Sequence, residues 1–285
     1  MSHYAPRRSR KVKNILFSCL KNTFILAVAL MMIYPLFWLF LSAFKTSEDF
    51  FQNPFSLPTE WILDNIFQAW EIANLGKAMI NSTIVTVTAT LLTVFVGALT
   101  AYAFSRFSFR FKGLLMGFFV LGLLIPIHST LVPIFIMMNK IGMLNTYWAL
   151  ILPYTAFELP IAIFLTVAYM STIPKELEES AYIDGSGYWG VFFRIMLPLS
   201  VPILATVAIL SFLRYWNEFV FALVFISDSK LKTLPLSLAI FSDGYTTNYG
   251  LTMGAMAIAV IPTIIIYLIF QEQIMKGMMA GSVKG

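Results

Sequence analysis

Apolar residues in this chain of 285 are gathered into runs of roughly twenty, separated by short stretches that hold most of its charges and turn residues. A helix of about 20 residues spans the roughly 30 Å of hydrocarbon in a bilayer, so the pattern predicts an all-α, polytopic membrane protein with six transmembrane helices. The runs lie at about 22–44, 79–104, 113–137, 147–170, 199–226 and 250–270. Residues 22–270 therefore read as one transmembrane domain, preceded by a basic tail at 1–21 and followed by a short tail at 271–285. One inner stretch departs from the pattern. Between two apolar runs, 171–198 carries a polar island, ESAYIDGSGYWGVFFRIMLP from Glu179 to Pro198, with a glycine at its hinge.

Composition agrees with the pattern: 59% of residues are hydrophobic, 12% are charged, and the mean hydropathy is +0.81, outside the range of a domain with a solvated surface. The cations fix a side. With the N-terminal tail inside, the inner segments collect Arg7, Arg8, Arg10, Lys11, Lys13, Arg106, Arg110, Lys112, Lys175, Arg194, Lys276 and Lys284. The outer segments hold only Lys45, Lys77, Lys140, Lys230 and Lys232, which predicts both termini in the cytoplasm. The first run is too long for a signal peptide, and Pro35, Phe37, Trp38 and Phe40 stand where small residues would mark cleavage. The net charge of +5 comes mostly from the tail and gives no support to nucleic-acid binding. A single cysteine, Cys19, excludes a disulfide framework, and His3 and His128 are too far apart to form a local metal-ligand pair, so no metal site is expected.

The island predicts a helix-turn-helix on the cytoplasmic face. Pro174 suits a first helical turn, and Glu176, Glu178 and Glu179 favour the positive end of the helix dipole. Leu177, Ala181 and Tyr182 would share one face. Gly185 can take the left-handed conformation that ends a helix. A second amphipathic stretch with Trp189, Phe192, Phe193 and Met196 then runs to Pro198.

The spacing of Glu179, Ala181 and Gly185, then nine residues to Ile195, with Leu197 and Pro198, resembles the EAA signature of the membrane-spanning subunits of ABC importers. The stretch IPKELEESAYIDG, together with AYAFSRFSFRFKG from Ala101, WNEF from Trp216 and KGMMAGSVKG from Lys276, is similar to the carbohydrate-uptake branch, typified by the maltose-transporter permease. Ser180 departs from the usual alanine but is still small. The resemblance implies that Glu179, Ser180, Ala181, Asp184, Gly185, Ile195, Leu197 and Pro198 couple the chain to a cytoplasmic ATPase. It also implies a homologous second permease, two ATPase subunits that bind ATP and Mg, and an extracytoplasmic solute-binding protein, all at the plasma membrane of a bacterium or archaeon. Lys276, Gly277, Gly281 and Lys284 correspond to a tail that reaches between the ATPase subunits. The chain itself carries no G-x-x-x-x-G-K-[ST] phosphate loop and no catalytic constellation, so it is not expected to be an enzyme or to hold a cofactor.

Ionisable residues at membrane depth are costly and suggest function. Glu158, Arg214, Asn217 and Glu218 fall near the middle of their spans, with Tyr215 and Trp216 available for stacking on a sugar. They line a translocation pathway or form a structural pair, Arg214 with Glu158 between helices or with Glu218 on one helix. An ion-coupled secondary transporter is the alternative that these charges leave open. His128 reads as a packed bundle residue. Thr86, Thr90, Thr93, Gly97 and Thr100 form a packing seam, and Gly250 and Gly254 a close helix contact. Pro126, Pro133, Pro153, Pro160 and Pro262 are expected to break or bend spans. The outer segment 45–76 is a small interfacial cap or, more simply, a solvated loop, and 227–249 faces an extracytoplasmic partner.

Overall fold

The structure is a computed structural model that describes the backbone of residues 7–242 and 248–282, and side chains from 16 to 241 and from 248 to 272. Every regular element among these residues is helical. In chain order they are α1 (Arg7–Ser42), α2 (Ser47–Gln52), α3 (Asp64–Ile72), α4 (Leu75–Arg106), α5 (Lys112–Leu123), α6 (Leu131–Lys140) and α7 (Trp148–Met170). There follow α8 (Glu176–Ile183), α9 (Tyr188–Val191), α10 (Leu197–Leu199), α11 (Val201–Trp216), α12 (Val220–Phe225), α13 (Leu234–Leu238) and α14 (Tyr249–Ser282).

Four helices, α1, α4, α7 and α14, are each long and apolar enough to cross a membrane. Two further pairs are bent. Lys112–Leu123 meets Ile127–Lys140 at 98°, and Tyr188–Leu199 meets Val201–Trp216 at 73°. The third predicted run is thus broken rather than straight. Pro126 lacks an amide hydrogen and disfavours helix in the residue before it, so α5 stops at Leu123 and a 3₁₀ turn (Ile127–Thr130) leads into α6. His128 lies exposed on that turn rather than packed in the bundle. Pro153 and Pro160 lie inside the continuous α7 and Pro262 inside α14, so these three do not interrupt their helices.

The fifth run, read as one helix over 199–226, is also divided. The Asn217 amide donates to the Leu213 carbonyl (2.7 Å) at the end of α11, while the Glu218 carboxylate accepts from the Phe221 and Ala222 amides (2.8 and 3.3 Å) at the start of α12. Side chains here satisfy the backbone groups that a continuous helix would have used.

At the centre, α4 lies along α7 and α11. Thr86, Thr90, Thr93 and Gly97 are buried on it, and a Cβ on Gly97 would stand 3.3 Å from Ala162 Cβ. The seam read from the sequence is this contact. Around it sit α1 and α14, with many apolar side chains exposed toward whatever surrounds the chain. The basic stretch from Arg7 is helical and continuous with the first span, and the last helix runs beyond 270 to Ser282.

The segment 45–76 is a folded cap, not a loose loop. Lys45 is 1% exposed and its ammonium donates to the Asn53 and Pro54 carbonyls (2.6 and 3.4 Å) and to Ser56 Oγ (3.3 Å). Asn65 on α3 donates to the carbonyls of Ala43 and Lys45 (3.0 and 2.9 Å). Gly250 and Gly254 admit this cap against α14, so their close contact is with α3 and the turn at Lys45. The next outer segment is held down as well. Asn81 donates to the Lys230 and Lys232 carbonyls (3.0 and 2.9 Å), Ser82 Oγ accepts from the Leu234 amide (2.7 Å), and Asn145 Oδ1 accepts from the Ser227 and Asp228 amides (2.6 and 2.9 Å). Asp243 and Gly244 lie outside the described residues.

A Cβ on Gly250 would stand 2.5 Å from both Asn65 Nδ2 and the Lys45 carbonyl oxygen, whereas on Gly254 the nearest atom is 3.2 Å away. Gly250→Ala is expected to cost about 1–3 kcal/mol through overpacking, and Gly254→Ala distinctly less. Thermal unfolding of the detergent-solubilised protein checks the order, and an equal or larger loss for Gly254→Ala contradicts it.

Candidate functional site

The residues singled out in the sequence fall in two constellations: the segment from α8 to α10 and the polar groups expected at membrane depth. In the first, α8 ends in a Schellman motif, with Gly185 at φ +83°, the Ser186 amide donating to the Ala181 carbonyl (2.9 Å) and the Gly185 amide to that of Tyr182 (3.1 Å). Nothing lies within 4 Å of a Cβ built on Gly185, so its requirement is conformational rather than spatial. After the turn, α9 passes into a π-helical stretch (Phe192–Met196) and α10. Pro198 does not close the segment as expected. It sits inside α10, and because it lacks an amide hydrogen it cannot bond to the Arg194 carbonyl four residues back, which accounts for the wider local winding. The chain turns at Ser200 instead.

Neighbouring residues on a helix point about 100° apart, and here adjacent glutamates have opposite fates. Glu178 is buried and forms a salt bridge with Arg106, the last residue of α4, each side chain only 6% exposed. Glu179, Ser180, Asp184 and Gly185 face outward. Beside them stand exposed apolar side chains, Ile183 (86%), Tyr188, Trp189 and Phe193. Leu177 and Tyr182 are on this outer side, and Ala181, Ile195 and Leu197 are half-buried. The sequence reading missed Arg106 and Glu178. The signal available was a Glu at i with Tyr at i+4, opposite an Arg that ends a long apolar helix. An exposed apolar patch rimmed by charges is the usual mark of an interaction surface.

At membrane depth the structure brings some of the predicted residues together and separates others. Arg214 Nη1 pairs with Glu158 Oε2 at 2.7 Å, so the partner of Arg214 is on the neighbouring helix. Glu218 is not paired with Arg214. It accepts from the Tyr154 hydroxyl and caps α12. The Tyr154 and Tyr215 rings stack at 5.3 Å, and the Tyr215 hydroxyl donates to the Tyr154 carbonyl (3.0 Å) and lies 2.8 Å from Thr93 Oγ1. Trp216 is directed elsewhere. It stacks on Phe212 (5.7 Å) within a cluster formed with α4, α13 and α14. Tyr215 and Trp216 are both buried and Asn217 is exposed at the end of α11, and Trp216 and Asn217 together line a second cavity of about 300 Å³ with Leu39, Leu238 and Met256. Lys276, Gly277 and Gly281 lie on the backbone of α14, but their side chains, and all of Lys284, are outside the described residues.

Residues 89–279 match the family described as "Binding-protein-dependent transport system inner membrane component". The chain belongs to that family. Its members are transport components rather than enzymes, and the likeness extends over nearly the whole permease. It is 43% identical over 252 residues to the "Probable ABC transporter permease protein YurM" of Bacillus subtilis, covering 88% of this chain and 84% of that protein. It is 34% identical over 269 residues to the "Diacetylchitobiose uptake system permease protein NgcG" of Streptomyces coelicolor, covering 94% and 87%. A chain in the crystal structure of a bacterial ABC transporter involved in the import of the acidic polysaccharide alginate shares the fold, with a TM-score of 0.80 at 19% identity over 95% of this chain and 99% of that one.

A cavity of about 600 Å³ in the permease opens between α5, α6 and α7, lined by Ile134, Met137, Pro153, Phe157 and other apolar residues. None of the six polar and aromatic residues singled out at membrane depth lines it. Its chemistry does not suit a hydroxylated solute.

The pair at membrane depth is asymmetric, with the Arg214 side chain 52% exposed and that of Glu158 6%. Removing the arginine strands a buried carboxylate, so Arg214→Leu is expected to cost about 3 kcal/mol or more. Glu158→Leu leaves a half-exposed cation and costs less, and the double variant recovers most of the loss. Unfolding in micelles measures all three, and additive losses contradict the pairing.

Proposed function

We propose that this permease is one of two related membrane subunits of an importer for carbohydrates or similar hydroxylated solutes, driven by ATP hydrolysis on two partner subunits that bind ATP and Mg. In this reading each bent pair counts as one span, giving six, and both termini face the cytoplasm, as the distribution of Lys and Arg favours. An extracytoplasmic binding protein delivers the solute, in line with the family's description, and the diacetylchitobiose and alginate named for its relatives set the chemical class. The C-terminal tail contacts the ATPases.

The observation that carries the reading is the outward face of the α8–α10 segment. Glu179 and Asp184 stand at its surface beside Ile183, Tyr188 and Trp189, next to a turn that needs Gly185. A rigid pair of short helices with a carboxylate for charge-assisted bonds and apolar side chains to bury suits docking into a cleft on a second protein. At membrane depth, a half-exposed Arg214 is costly against lipid, so its face of α11 is turned toward the partner permease or a water-filled path. The ion-coupled alternative loses support because Glu158 and Glu218 are both engaged in internal bonds.

Glu179→Lys and Gly185→Asp are expected to insert normally yet to capture little of the co-expressed ATPase and to lose uptake. Gly185→Asp also places a side chain in the left-handed region, at a cost of about 1 kcal/mol. Pull-down of the ATPase together with uptake of labelled oligosaccharides by cells tests this. Wild-type values for both variants contradict it.

A further inference from the structure

The Arg106 guanidinium touches the α8–α10 segment at two points and the turn before it at a third. Its Nε carries the salt bridge to Glu178 on α8, and its Nη2 donates to the Ile173 carbonyl before α8 (2.9 Å) and lies 3.7 Å from Met196 Sδ in the π-helical stretch. One turn earlier on α4, the Tyr102 hydroxyl lies 3.3 Å from that of Tyr182 and 3.4 Å from the Tyr188 carbonyl. The Tyr102 ring packs on Phe192 at 5.3 Å. Both short helices are thus fixed to the end of a helix to which they are not joined in sequence.

The covalent connection toward α11 is not a straight helix. Toward α11 the segment passes through a π-helical stretch and a 73° bend at Ser200, between Pro198 and Pro202. Toward α7 the turn at 171–175 is itself held by Arg106 through the Ile173 carbonyl. Apolar contacts tolerate sliding, but a planar guanidinium held by a buried carboxylate and a backbone carbonyl has one geometry, and losing either charge leaves the other desolvated.

We infer that Arg106 and Glu178 form a strut that makes the coupling segment and α4 move as one body, so that displacement of the segment is delivered to α4 and, through its seam, to α7 and α11. Glu178 is a positioning residue: it faces α4, whereas Glu179 faces the partner. The inference rests on the ATPase-docking reading above and adds the route by which motion leaves the docked segment.

Spin labels on Lys175→Cys, at the start of α8, and Leu91→Cys, on the exposed side of α4, in a Cys19→Ser background of the full complex, read the strut directly. In the otherwise wild-type chain the distance between labels is expected to be the same in the nucleotide-free and the ATP–vanadate-trapped complex. In Glu178→Gln the ATPase still copurifies, but the distance now shifts with nucleotide as α4 lags behind. The reversed pair, Arg106→Glu with Glu178→Arg, regains the charge pairing but not the bond to the Ile173 carbonyl, and is expected to bring the distance part of the way back to a constant value. A nucleotide-dependent distance without the Glu178 change, or a constant one with it, overturns the inference. So does loss of the assembled complex in Glu178→Gln, which makes the pair an element of folding or docking. Failure of the unaltered chain to capture any ATPase instead refutes the docking reading beneath it.

Discussion

The fold depends on how closely two helices can approach α4. Between helices in lipid there is little hydrophobic driving force, so association relies on backbones coming near enough for dispersion contacts and buried hydrogen bonds. Ala89, Thr93, Gly97, Ala98 and Ala101 give α4 a nearly flat face, fully or almost fully buried against its neighbours. The consequences reach both ends of the molecule. Along the seam, α7 and α11 are brought together so that Glu158 meets Arg214 and Tyr154 meets Tyr215. Beyond it, the final turn of α4 carries Tyr102 and Arg106 into the coupling segment.

This arrangement separates two kinds of charge. Those at membrane depth are consumed by the structure: Glu158 by Arg214, and Glu218 by the Tyr154 hydroxyl and the amides of α12. Those on the coupling segment are divided between inside and outside, Glu178 holding α4 while Glu179 and Asp184 remain exposed. In the proposed docking, the outward carboxylates are the ones that meet the partner. The chain's carboxylates at membrane depth, engaged in these internal bonds, are poorly placed to carry protons.

The all-helical, apolar character of the chain and the helix end at Gly185 were legible in the sequence because each rests on a local rule, such as apolar run length or a glycine at a helix end. The small-residue face of α4 was legible from spacing alone. What stayed hidden was set by tertiary contact. Which of two adjacent glutamates turns inward depends on how α8 is rotated against α4, and nothing local fixes that angle. The break at Asn217 was masked because apolar residues continue on both sides of it, and only the side-chain caps reveal it. Lys45 looked like a solvated loop residue, since its acceptors are mostly carbonyls of a turn that exists only after folding. The glycines at 250 and 254 announced a close contact but not that α3 would fill it.

The central claim is that this chain forms part of a pore moved by hydrolysis on another subunit. Solute uptake into proteoliposomes holding the chain with its partner permease, ATPases and binding protein tests it most directly, using labelled oligosaccharides and independent control of ATP and ion gradients. The account predicts import that requires ATP and persists when ionophores collapse every ion gradient. Uptake that follows an ion gradient in the absence of ATP would contradict it.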